Sequence, residues 1–278
     1  MTCAMPIAAT IATSDSGGGA GIQADLKTFA AHGVFGVSVL VACTAQNTVG
    51  VRAIEPLPVA FVRAQMEALA ADLRPRAVKT GMLFTEAHVL EVAAGLSRHD
   101  FGQLVVDPVM VAKSGDRLLR TTAIAALREI LLPLALVVTP NWPEAAVLSH
   151  LPVGDEAEGE AAGRRILDLG PRFVVVKGGH APGPPTDLVV HAGGVERLGG
   201  ERIPSPHTHG TGCTFSAAIT AQLARGVEPL RAITIAKRYV SQAIAAAPGL
   251  GAGHGPLQHF PKGWDADDGA TIDGEPAR

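Results

Sequence analysis

Six short segments carry residues whose types and spacing could do chemistry. The first is Ser14-Asp15-Ser16-Gly17-Gly18-Gly19-Ala20-Gly21-Ile22-Gln23-Ala24-Asp25, which follows an apolar run and opens a helical pattern. Residues 19–24 match G-x-G-x-x-A, the glycine fingerprint of dinucleotide sites. That fingerprint also needs an acid about 20 residues on, to hold a ribose. The next strand instead ends in Thr44, Gln46 and Asn47. A tight strand-to-helix turn explains the same glycines. No G-x-x-x-x-G-K-[ST] occurs, which argues against a P-loop enzyme. The second segment is His209-Gly210-Thr211-Gly212-Cys213-Thr214. Its glycines allow consecutive N–H groups to face one point at a helix start, which makes an anion site. Cys213 falls in the first turn, where the helix dipole lowers a thiol pKa. The alternative is a small buried cysteine beside an ordinary turn.

The third segment, Asn141-Trp142-Pro143-Glu144, has two readings that can hold together. An amide and a carboxylate three apart can hold water around magnesium. The same pair makes a capping box. In the fourth, Asp107 ends an apolar run, where it can reach phosphate or metal-bound water. Lys113-Ser114-Gly115-Asp116, just beyond, reads as a polar turn and a candidate lid. In the fifth, Lys177 precedes Gly178-Gly179 and can meet a phosphate as a point charge. The sixth is the pair His207 and His209. The ten histidines show no HExxH and no regular ligand spacing, so a zinc site is not expected.

The elements that position these segments read as alternating strands and helices. Residues 7–12, 37–43, 104–106, 134–138 and 173–176 are short, nearly all apolar, and each ends near one of the polar segments. Such runs are typical of parallel strands covered on both faces. Between them, Phe61, Met66, Leu69 and Leu73 follow helical spacing, as do Phe215, Ala218, Ile219 and Leu223 of an amphipathic helix. The expected architecture is a doubly wound α/β sheet with one cleft beyond the strands' carboxyl ends.

Composition narrows the function classes. The chain has 278 residues, 47% hydrophobic and 18% charged, with a formal net charge of -3 and no long basic run. Nucleic-acid binding has little electrostatic support. Cys3, Cys43 and Cys213 are too few and too dispersed for a disulfide framework, which fits a reducing cytoplasm. No apolar stretch is long enough to span a membrane, and the N-terminus lacks the cationic start of a signal peptide. A domain over residues 1–262 is expected, with an acidic, disordered tail over residues 263–278.

The order of the segments resembles the hydroxymethylpyrimidine/phosphomethylpyrimidine kinase family. The resemblance rests on residues 14–28 (SDSGGGAGIQADLKT), 45–48 (AQNT), 80–83 (TGML), 107–116 (DPVMVAKSGD), 139–145 (TPNWPEA), 177–180 (KGGH), 209–214 (HGTGCT) and 253–260 (GHGPLQHF). It spans about residues 5 to 261. It implies a ribokinase-like fold, usually homodimeric, and two successive phosphorylations of 4-amino-5-hydroxymethyl-2-methylpyrimidine by ATP with magnesium. A monovalent-cation requirement is left open. By position, Gln46 and Asp25 would address the aminopyrimidine, with Thr13, Thr44, Met82 and Val109 around it. Gly210, Thr211 and Gly212 would form the anion hole, with Cys213 as base. Asn141 and Glu144 would organise magnesium, and Lys177, Asn141 and Asp107 would meet ATP. Thr13 departs from the family's usual glycine. Two other readings stand beside this one: a pyridoxal or pyridoxine kinase of the same superfamily, and a non-catalytic pyrimidine- or nucleotide-binding protein.

Overall fold

The computed structural model describes residues 5–110, 121–180 and 183–266. Within them one sheet contains nine strands: β1 (Ile7–Asp15), β2 (Phe35–Gln46), β3 (Val51–Pro56), β4 (Ala77–Thr80), β5 (Gln103–Val106), β6 (Val137–Val138), β7 (Phe173–Val176), β8 (Asp187–His191) and β9 (Gly194–Leu198). Their spatial order is β3-β2-β1-β4-β5-β6-β7-β8-β9. The pairings from β2 through β7 are parallel. Those of β3, β8 and β9 are antiparallel.

The helices are α1 (Gly21–Ala31), α2 (Val59–Asp72), α3 (Glu86–Arg98), α4 (Thr121–Ala126), α5 (Trp142–Ser149), α6 (Glu156–Leu167), α7 (Thr211–Ala224) and α8 (Pro229–Ala245). Alternate strand residues point to opposite faces. Ala8, Ala77, Val105, Val137 and Val175 pack with Phe29 of α1, Phe215 of α7 and Tyr239 of α8. Ile11, Val78, Val106, Val138 and Val176 pack with Met66 of α2, Val92 of α3, Leu148 of α5 and Ile166 of α6. Coverage on both faces is why the strands carry no polar alternation. The expected doubly wound sheet is therefore present.

Several local expectations change. Of residues 134–138 only Val137–Val138 pairs as strand, because α4 runs on through a π turn and a 3₁₀ turn at Leu132–Leu134 with Pro133 in its first positions. Phe61 was expected on a core face but is 54% exposed, and α2 buries only Val62 and Met66. The helix after Gly210 is not amphipathic. Every residue of α7 from Thr214 to Ala224 is buried, since the sheet lies on one side and α1 and α8 close the other. Its hydroxyls are paired inside, with Thr220 donating to the Ser216 carbonyl at 2.8 Å and Thr214 3.2 Å from His259 Nε2. Among the described residues no helix is long and apolar enough to cross a membrane.

The packed chain also reaches past the expected boundary at residue 262. The Trp264 ring lies 4.8 Å from Tyr239 and 5.2 Å from His32. The Ala266 carbonyl accepts from Arg225 Nη1 at 3.0 Å and Gln222 Nε2 at 3.4 Å. The rest of the acidic segment lies outside the described residues. Trp264→Ala removes most of a half-buried aromatic contact and is expected to cost about 1–3 kcal/mol, below the range for a fully buried ring. Chemical denaturation measures this. Truncation after residue 262 should reproduce the loss, and unchanged midpoints in both would mean the Trp264 contact contributes nothing.

Candidate active site

Doubly wound sheets bind ligands where strand order reverses. Here β1 is followed on one side by β2 and on the other by β4, so the reversal lies between the carboxyl ends of β1 and β4. A cavity of about 670 Å³ opens there and runs across the ends of β5 and β7 to the start of α7. Thr13, Thr44, Gln46, Met82, Val109 and Asp107 line it. So do Asn141, Glu144, Lys177 and residues 210–213. Nearly all the expected site residues therefore meet in one space.

Asp25 does not line that space. It is fully buried in α1 and accepts from Thr10 Oγ1 at 2.6 Å and Lys79 Nζ at 3.0 Å. The structure does not bring Asp25 to the cavity wall with the other expected residues; its partner Lys79 is the one that lines the cavity. Burial works against the Lys79 charge, but Asp25, Cys213 and Asp107 hold its pKa above the usual lysine value. Lys79 is not among the expected site residues; a lysine inside the short strand Ala77–Thr80, all of it buried, is the signal that marks it.

The first glycine loop is built around Asp15. Its carboxylate accepts from the backbone N–H of Gly17 at 2.8 Å, Gly19 at 3.1 Å and Ala20 at 2.9 Å. His209 Nε2 lies 2.9 Å from the same carboxylate. Burial opposes ionisation of Asp15, but His209 and these N–H groups hold its pKa below the ordinary value. Gly210 has φ 80°, and a Cβ there would run into the Gly19 carbonyl. The two glycine loops thus interlock. Beside them, the Gln46 amide sits with its oxygen position 3.1 Å from Thr44 Oγ1 and its nitrogen position 3.3 Å from His209 Nε2. Thr13, at the irregularity in the β1–β2 pairing, donates to the Met82 carbonyl at 3.1 Å.

At the other end, Lys177 Nζ lies 3.3 Å from Asp107 Oδ1. Asp107 also accepts from Ser216 Oγ of α7 at 3.2 Å. Burial opposes the Lys177 charge, but Asp107 and Glu144 keep its pKa above the usual value. A Cβ at Gly212 would stand 3.3 Å from Lys177 Nζ, so the ammonium abuts the backbone of the helix start. Cys213 overturns the dipole expectation. Burial pushes its thiol up to about 11, against the pull of Lys79, and Gly21 N–H donates to the sulfur. Desolvation outweighs the dipole here, so the resting residue is a thiol.

Asn141 and Glu144 form a complete capping box at α5. Glu144 N–H donates to Asn141 Oδ1 at 2.9 Å, and Asn141 N–H donates to Glu144 Oε2 at 2.8 Å. Burial pushes Glu144 up to about 7, against the effect of Lys177. The capping bonds leave lone pairs free on both side chains, and both line the cavity. Oxygen donors with spare lone pairs suit a magnesium ion that keeps its waters. The expected lid at residues 113–116 lies outside the described residues.

The phosphomethylpyrimidine kinase family matches residues 15–258. A hydroxymethylpyrimidine/phosphomethylpyrimidine kinase of Rhizobium meliloti is 53% identical over 93% of this chain and 98% of its own. The Bacillus subtilis protein of the same name is 46% identical over 91% and 94%. Among solved structures, a Clostridium difficile phosphomethylpyrimidine kinase superposes with a TM-score of 0.78 at 43% identity, covering 86% and 99%. An ADP complex of Bacillus subtilis pyridoxal kinase does so at 0.87 and 38%, covering 93% and 98%. Sheet and cleft together define a small-molecule kinase of the ribokinase-like fold. Within that class, the chain belongs to the phosphomethylpyrimidine kinase family.

Two expectations follow from the buried charges. Lys79→Met strands Asp25 without its partner and should cost about 3–5 kcal/mol, while Lys79→Met with Asp25→Leu recovers most of it. Urea denaturation of both variants measures this, and equal losses would mean the charges are not coupled. The second concerns Glu144, whose folded pKa lies above the usual carboxylate value of 4.5. The folded form keeps a proton that the unfolded chain releases, so this group's contribution to stability falls as pH rises from 4.5 through about 7. Melting curves of wild type and Glu144→Gln without ligand should therefore diverge in favour of the variant as pH rises from 5 to 8.

Proposed function

We propose that the chain transfers phosphate from ATP to the hydroxymethyl oxygen of 4-amino-5-hydroxymethyl-2-methylpyrimidine, then to the resulting monophosphate. The observation that carries this reading is one cavity holding two kinds of wall. Gln46, Met82 and Val109 offer an amide and apolar surface for a flat ring, and Lys177 with the start of α7 offers positive charge for phosphates. Such a transfer rests on positioning and charge stabilisation more than on covalent chemistry by the protein.

In this reading the ring lies between Met82 and Val109, and the Gln46 amide meets its polar edge. Thr13 and Thr44 shape the adjoining wall. The backbone N–H groups of residues 210–213 bind the phosphoryl oxygens, and Lys177 neutralises charge as the bond to ADP breaks. Asp107 holds Lys177 in place. Asn141 and Glu144 would hold magnesium through water, and the ion, when bound, neutralises the ATP phosphates. A magnesium titration tests this: Glu144→Gln keeps a capping box but should need more magnesium for half-maximal rate. A curve overlaying the wild type would leave Glu144 its capping role alone. Cytoplasmic location and a homodimer belong to the same reading. They are supported by the family resemblance and, for the location, by three dispersed cysteines.

A pyridoxal kinase reading is favoured by the likeness to the Bacillus subtilis pyridoxal kinase structure. Both acceptors are flat heteroaromatics with a hydroxymethyl arm. Steady-state rates with each acceptor decide between them. A preference for pyridoxal would overturn the pyrimidine reading, and no turnover of either would favour a binding protein.

The two steps make different demands on Cys213. The first nucleophile is a neutral hydroxyl and gains from a base, an effect worth about 10²–10⁴-fold. The second is a phosphate monoester, already mostly ionised at neutral pH because its second pKa is about 6. Cys213→Ala is expected to slow the first step far more than the second. Because the thiol titrates near 11, the wild-type first step should also accelerate as pH rises from 7 to 10. Separate assays with each substrate check both statements. Equal losses in the two steps would assign Cys213 to packing of the anion hole.

A further inference from the structure

The contacts around His209 contain a conflict that has one resolution. Asp15 Oδ2 already accepts from the N–H groups of Gly19 and Ala20, and it lies 2.9 Å from His209 Nε2. An ionised carboxylate only accepts, so His209 Nε2 must carry the proton. The nitrogen position of the Gln46 amide then faces an N–H at 3.3 Å, donor against donor. On the other side Thr44 Oγ1 lies 3.1 Å from both the Ser14 carbonyl and the Gln46 oxygen position, yet a hydroxyl has one proton. Turning the amide over removes both conflicts, with the one Nε2–H of His209 shared between Asp15 Oδ2 at 2.9 Å and the Gln46 amide at 3.3 Å. Gln46 Oε1 then accepts from His209 Nε2–H. Gln46 Nε2 donates to Thr44 Oγ1, which donates to the Ser14 carbonyl.

From this we infer that His209, oriented by Asp15, is a specificity-determining positioning residue that locks the direction of the Gln46 amide and thereby selects 4-aminopyrimidines against 4-oxopyrimidines. The inference rests on the pyrimidine reading above and deepens it. After the lock is made, Gln46 keeps one N–H and one lone pair for the cavity it lines. A 4-aminopyrimidine edge presents a ring nitrogen that accepts beside an amino group that donates. The 4-oxo analogue presents the reverse, a ring N–H beside an accepting carbonyl. A free amide could turn over and read either edge equally well. An amide held at both ends reads one, and the other meets donor against donor and acceptor against acceptor. Interlock of the two glycine loops keeps His209 in place: a Cβ at Gly19 would stand 2.6 Å from His209 Cδ2, and His209 N–H donates to the Gly255 carbonyl at 3.1 Å.

The experiment compares 4-amino-5-hydroxymethyl-2-methylpyrimidine with its 4-oxo analogue as acceptors in wild type, His209→Phe and His209→Asn. Wild type should favour the amino compound. His209→Phe should narrow the kcat/KM ratio by about tenfold, through KM for the acceptors and with KM for ATP unchanged. His209→Asn retains an N–H donor and should keep most of the preference. If His209→Phe fails to fold, Thr44→Val, which removes the opposite anchor, should narrow the ratio in its place. An unchanged ratio in a folded His209→Phe, or an equal fall in kcat on both acceptors, would overturn the inference and leave His209 as a support of the anion hole. Nitrogen-15 NMR of the free protein gives an independent reading. Protonation at His209 Nε2 is expected, and an Nδ1–H tautomer overturns the lock whatever the kinetics. A wild type that phosphorylates neither pyrimidine would overturn the proposed reaction, a result distinct from a folded variant whose preference does not move.

Discussion

Two buried ammonium groups set the constraint on which the cavity depends. Lys79 is fully buried in β4 and Lys177 half-buried just past the end of β7, places where a lone charge would cost several kcal/mol. Each is held by an aspartate, Asp25 for the first and Asp107 for the second. Burial makes Glu144 and Cys213 hold their protons more tightly than usual, with values of about 7 and about 11, against the pull of Lys177 and Lys79. Polar N–H groups at the start of α7 face the same cavity. On the proposed reading, a polyphosphate entering the cavity brings charge that a hydrated magnesium at Asn141 and Glu144 would help to balance.

The glycines around the cavity serve the fit of two loops to each other. Gly19 and Gly21 match a dinucleotide fingerprint, but a Cβ at Gly19 would meet His209, and one at Gly21 would run into the Thr13 carbonyl. Neither glycine is there to let a pyrophosphate approach. The Asp15 carboxylate fills the hollow of the loop and takes up its N–H groups, so the loop is occupied by its own side chain. The loop that remains open to an anion is the second one, where Gly212 lets the helix start lie against Lys177. A short motif therefore misleads when its glycines are needed for loop-to-loop packing.

Much of this was legible in the chain. Strand runs ending in polar residues located the cleft, because parallel strands point their carboxyl ends one way, and residues such as Gln46, Asp107, Asn141 and Lys177 meet there. What escaped was set by contacts between segments far apart in sequence. Asp25 looked like a ligand-facing acid, since nothing local reveals Lys79, 54 residues away. The Cys213 thiol was expected to acidify on its helix end, whereas burial among α1, α7 and β4 dominates. The direction of the Gln46 amide depends on His209, 163 positions further on. The edge strands β3 and β9 also escaped, being short and half-polar where one face meets water.

The likeness to pyridoxal kinase structures has a physical basis in this cavity. The groups proposed to handle phosphate, namely Lys177 with Asp107, the backbone of residues 210–213 and the capped start of α5, lie on elements fixed by the sheet. Any acceptor that presents a hydroxymethyl group at the right point can use them, whatever ring it carries. A change of acceptor therefore needs no change of fold, only of the wall formed by Thr13, Thr44, Gln46, Met82 and Val109. That wall is held by few bonds: Thr13 to the Met82 carbonyl, and Gln46 between Thr44 and His209. On the proposed reading, small rearrangements there would redirect specificity while the phosphate-facing half stays intact. Backbone superposition cannot register such differences, because they reside in which way a side-chain amide points and where one proton sits.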